Sequence, residues 1–106
     1  MSTPAATTPS DAAATSYPSP SATALQHAVK IAIVDDKPIM LDYWAPSLDQ
    51  QVIIGVRENS EKLLVKSQDE YTSPIEKIFR VENEYLVITA NSIYMVSSNI
   101  KSKRIS

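Results

Sequence analysis

From Leu25 onward, apolar residues recur at every second position in short runs separated by Asp, Asn and Ser. Period-two alternation puts one set of side chains on each face of an extended chain, so the pattern predicts strands. Val29, Ile31 and Ile33 alternate with Lys30 and Ala32 until Asp35 and Asp36 break the run. Pro38 suits the start of the next strand, where a missing N–H does least harm. There Ile39, Leu41 and Tyr43 share the face expected to be buried, Met40, Asp42 and Trp44 share the other, and Pro46 ends the strand. Val52, Ile54 and Val56 lead through the turn residues Glu58, Asn59 and Ser60 to a returning strand at Lys62–Lys66, with Leu63 and Val65 inward. A second hairpin is expected where Tyr85, Val87 and Thr89 turn at Asn91 and Ser92 into Ile93–Val96.

The single glycine, Gly55, lies inside a strand pattern and predicts a bulge or bend, or a close backbone approach. With so little glycine, Asn59, Asn83 and Asn91 are expected to supply the positive φ of the turns. Thr72–Val81 reads two ways. Ser73, Pro74 and Glu76 form a helix-start pattern, whereas Ile75, Phe79 and Val81 fit one face of a strand, which their β-branched and aromatic character favours. The reading adopted is a strand, with a short helix near 74–80 as the alternative.

Residues 1–25 differ in kind. Up to Ala24 they are almost entirely Ala, Ser, Thr and Pro, with Tyr17 the lone aromatic, and four of the seven prolines fall there. Such a segment lacks the apolar surface to offset the entropy of ordering and reads as a disordered tail. Residues 26–106 then make one small domain. The fold expected is mainly β, an antiparallel barrel or roll of SH3-like or OB-like size with roughly five to seven short strands.

Net charge is −2, and −1 once residues 1–25, whose only charged side chain is Asp11, are set aside. No global attraction to phosphate or to an anionic membrane follows. No basic, apolar leader and no run of about 18 apolar residues occurs, so the chain is expected to be soluble and cytoplasmic, without signal peptide or membrane span. Cysteine is absent, which removes thiol chemistry and disulfides.

Lys30–Pro38, KIAIVDDKP, resembles the opening of a response-regulator receiver domain. In that family an acidic pair after the first strand holds Mg²⁺, a role the resemblance gives to Asp35 and Asp36. The phosphate-accepting Asp that the family carries at the end of its third strand has no counterpart, since no Asp follows Asp69. The hairpins of residues 51–97 also depart from a receiver's alternating strands and helices. Asp35 and Asp36 therefore read as turn formers, and with Asp42 they lack the loop spacing of a calcium site.

Nucleophilic catalysis needs a base, and His27, the only histidine, is expected at the surface beside the tail without a partner. One His and no Cys do not make a zinc site. No cofactor or metal is expected, and the chain is read as non-enzymatic. The function expected is a protein–protein interaction module, an adaptor, inhibitor or assembly component, binding a protein partner or itself through an exposed strand edge. Trp44, with Met40 and Asp42 beside it on the outward face, is the candidate contact. The alternative is a small nucleic-acid-binding barrel using Lys101, Lys103 and Arg104 with Tyr43 for stacking, against which stand the carboxylates spread through the domain.

Overall fold

The computed structural model describes residues 18–105. Two helices, α1 (Ala22–Asp35) and α2 (Trp44–Leu48), accompany eight strands. These are β1 (Ile39–Met40), β2 (Ile53–Val56), β3 (Lys62–Ser67), β4 (Glu70–Tyr71), β5 (Ile75–Val81), β6 (Glu84–Thr89), β7 (Ile93–Ser97) and β8 (Lys101–Arg104). The fold is mainly β, but the strands do not close into a barrel. They form two four-stranded sheets, one ordered β1-β7-β6-β5 and the other β4-β3-β2-β8. The expectation of a purely antiparallel arrangement also fails, because β1 joins β7 and β8 joins β2 in parallel.

The two expected hairpins are present. Ile54 pairs with Leu64 across β2 and β3, and Val87 with Tyr94 across β6 and β7. The disputed stretch is the strand β5, running beside β6 with an irregularity between Ile75 and Lys77. Its β-branched and aromatic side chains pack on both faces of a sheet, which a helix started at Ser73 would not allow.

Alternation along the strands builds three layers. One face of the first sheet meets the second over a core of Tyr43, Val52, Ile54, Leu64, Val87 and Val96. Its other face carries Leu86 and Met95, on which α1 lies through Ala24 and Ala28. The outer face of the second sheet has no layer upon it among the described residues.

The largest departure from the sequence reading is α1, which occupies the stretch expected to be the first strand. Ser21 caps it by accepting from the Ala24 amide at 3.1 Å while its hydroxyl donates to Glu84 Oε1 at 2.8 Å. That places the largely buried Glu84 carboxylate at the positive end of the helix dipole. Asp36 ends the helix in the left-handed conformation, φ 55°, its amide returning to the Ala32 carbonyl. The segment resembling a receiver's first strand is thus the second half of a helix, and Asp35 and Asp36 are its C-terminal end.

Residues 1–17 of the expected tail lie outside the described residues, but its last part is ordered. Pro18 accepts a hydrogen bond from Trp44 Nε1 at 2.8 Å, and Ala24 is fully buried. The turns differ too. Positive φ falls on Ser60 and Glu82 rather than on their neighbours Asn59 and Asn83. Asn59 contributes instead through its side chain, whose Oδ1 accepts from the Glu61 amide.

Gly55 marks a close approach rather than a bulge, since β2 runs in unbroken register. A Cβ at this position would lie 2.7 Å from Ile105 Cδ1 and 3.0 Å from Val65 Cγ2. What approaches the backbone is the chain's own Ile105.

Candidate interaction surfaces

The outward patch expected around Trp44 does not form. The strand ends at Met40, and the chain turns helical at Trp44 with Pro46 inside the first turn of α2. Alternation therefore stops. Trp44 turns inward to 8% exposure, while Leu41, expected inside, stands 50% exposed. Tyr43 is buried as expected, Met40 is half-buried and Asp42 is exposed. Ser47 fixes α2 by donating to the Trp44 carbonyl at 2.6 Å and accepting from the Ser97 amide at 2.9 Å.

The apolar surface lies on α1. At 100° per residue, Ala24 and Ala28 point at the sheet, Ile33 points almost directly away from it, and Val29 and Val34 lie to either side. Val29 is 47% exposed, Ile33 76% and Val34 80%. Val34 and Ile31 share a hollow of about 220 Å³ with Phe79 and Ile88, edged by Lys30 and Lys77. Phe79, on the edge strand β5, is 44% exposed because the single long helix leaves that end of the sheet uncovered. Between Ala28 and Val34 only Lys30 is polar. That composition was the signal for this surface, and reading the segment as a strand concealed it.

The cationic residues lie on the opposite side of the molecule. Lys101 pairs with Ile53, Ile53 with Val65, and Val65 with Tyr71, so these four share the outer face of the second sheet. Gly55, Leu63 and Lys103 form the next row. A cleft of about 500 Å³ opens there, floored by Ile53, Leu63, Val65 and Ile105 and rimmed by Arg57, Lys103 and Arg104. Arg57 stands 3.4 Å from Glu61.

Tyr43, expected to stack beside these cations, is on the other side of the sheet. It meets Tyr94 edge-to-face at 5.3 Å, and Lys66 Nζ lies 4.7 Å from its ring centroid. Burial raises its hydroxyl pKa to about 12, with Tyr94, Asp42 and Glu70 adding to the shift. The aromatic that accompanies the cations is Tyr71, 53% exposed. The sequence offers Tyr71 as one of several candidate stacking aromatics, together with Trp44, Tyr43, Tyr85 and Tyr94, and β4 has too few residues for alternation to single it out.

Among the described residues no three His, Cys, Asp or Glu side chains converge to hold a metal ion, and no helix is long and apolar enough to cross a membrane. His27 is exposed on α1. No protein-family model, curated protein or solved structure matches the chain.

Proposed function

We propose that the protein is a non-catalytic interaction module that associates with a second copy of itself through α1. The observation that carries this reading is an outermost helix whose second half, residues 28–34, is apolar on every side except at Lys30, with Val29, Ile33 and Val34 exposed. Such a stretch belongs in an interior, because the side away from its own sheet otherwise faces water. Residues 1–17 are poor material for a cover, since beyond Met1 and Tyr17 they offer no large apolar side chain.

A second copy fits the helix when the two run antiparallel. Val29 of each then lies near Ile33 of the other. The apolar side chains occupy the middle of the contact.

The exposures of Val29, Ile33 and Val34 amount to about two full side chains per copy. Burying both sets yields roughly 6–12 kcal/mol before an association cost of about 4–15 kcal/mol. The balance describes a reversible, concentration-dependent dimer rather than an obligate one.

Sedimentation equilibrium from micromolar to millimolar protein tests the reading. The wild type is expected to dimerise with little sensitivity to salt. Ile33→Asp and Val34→Asp, both at exposed positions, are expected to stay monomeric with unchanged melting temperature. A wild type that remains monomeric across the range, or variants that dimerise equally well, would refute it.

A further inference from the structure

The outer face of the second sheet holds a binding site of a different kind, separated from α1 by both sheets and independent of what α1 does. Its floor is aliphatic, with Leu63 buried beneath Ile53, Val65 and Ile105, and its rim is cationic. β8, whose sequence is Lys-Ser-Lys-Arg, forms the adjoining sheet edge and is exposed along its length.

We propose that this cleft binds an extended acidic peptide segment of another protein, laid along β8. Aliphatic side chains of the segment would occupy the floor, and its carboxylates would meet Lys101, Lys103 and Arg57. At about 3.3 Å per residue, β8 presents roughly 13 Å of edge, enough to register a segment of four residues.

The charge pattern selects this occupant. Lysines on an edge strand oppose pairing with like-charged strands, so a second β8 is repelled and an acidic strand is favoured. Residues 1–17 of another copy carry only Asp11 and supply neither the acidity nor the aliphatic side chains. A nucleic-acid strand fits less well. The floor is aliphatic and Tyr71 is the one aromatic that lines the cleft, so bases would find a single stacking partner where aliphatic side chains find a continuous floor. Aliphatic side chains match the floor and carboxylates the rim.

The test uses the whole chain and three fluorescent probes: a peptide alternating Glu with Ile and Val, the same peptide with Lys for Glu, and a single-stranded oligothymidylate. Fluorescence polarisation is expected to show saturable binding of the acidic peptide, weakened by salt, and none of the basic one. Lys101→Glu combined with Lys103→Glu, at exposed positions whose loss leaves folding intact, is expected to weaken the acidic peptide at least about tenfold and to admit the basic peptide. Amide shifts on peptide addition should concentrate in β8 and β2 and spare α1.

Binding of the oligonucleotide without the acidic peptide would replace the proposal with a nucleic-acid site. Binding of neither, or peptide binding that survives the charge reversal, would overturn it. Since α1 is not involved, a dimerisation-deficient Ile33→Asp protein should bind the acidic peptide as the wild type does.

Discussion

Replacing Trp44 separates a buried structural residue from a surface contact more sharply than any other single change. Its ring is 8% exposed, and its Nε1 reaches back to the Pro18 carbonyl at 2.8 Å. Truncation to Ala removes the packed indole and leaves a void that α2 fills only in part, a loss of about 3–5 kcal/mol. A domain of this size holds roughly 5–10 kcal/mol in total, so the variant loses a third of its stability or more. With a urea dependence near 1 kcal/mol/M, the unfolding midpoint should fall by about 3 M, or the variant should be unfolded without denaturant. Trp44→Phe keeps a ring in place and gives up the hydrogen bond. Pro18 is exposed, so its carbonyl can turn to water, and the cost should be about 1–2 kcal/mol. Far-UV circular dichroism is the assay, because Trp44 is the only tryptophan and its fluorescence vanishes with it. An Ala variant within about 0.5 kcal/mol of wild type would mean that the indole stands in solvent, and the packing argument would fail.

Two further outcomes follow from the packing of the second sheet. Gly55→Ala drives a methyl group to 2.7 Å from Ile105 Cδ1, the end of a side chain that can swing outward, so it should cost about 1 kcal/mol by urea melting. That cost should shrink in an Ile105→Ala background, and strict additivity of the two changes would refute the contact. The Tyr43 hydroxyl, raised to about 12 in the fold, keeps its proton at a pH where the unfolded chain has lost it. Its contribution is therefore complete below about pH 10 and is lost as pH rises toward 12, and Tyr43→Phe should show a shallower alkaline decline in urea midpoint.

Both hairpins were legible because each joins two short apolar runs across a polar turn, Glu58–Ser60 in one and Asn91–Ser92 in the other, but the faces of the first were reversed in its returning strand, where Leu64 and not Leu63 or Val65 enters the core between the sheets. α1 was not, for a physical reason. Its buried stripe is alanine, Ala24 and Ala28, which contributes almost no hydrophobic contrast, while its exposed valines and isoleucines have the side-chain shape of strand residues. The helix is set by what lies outside that pattern, the Ser21 cap and the seat on Leu86 and Met95. Tyr43 and Trp44 misled for a related reason, since alternation was carried past the point where β1 stops. The candidate surfaces were half visible. Lys101, Lys103 and Arg104 stood out as a cluster, but their aliphatic floor comes from residues distant in sequence that only the register of β2, β3 and β8 assembles.

The parallel seating of β8 on β2 has a kinetic consequence. Between them the chain leaves the second sheet, builds the whole β5–β7 meander of the first, and returns, so Lys101 meets Ile53, as Ile39 meets Ile93, only after a long loop closure. Neither sheet is then an autonomous folding unit. The local hairpins form early, the two parallel pairings follow, and both layers are expected to melt in a single transition.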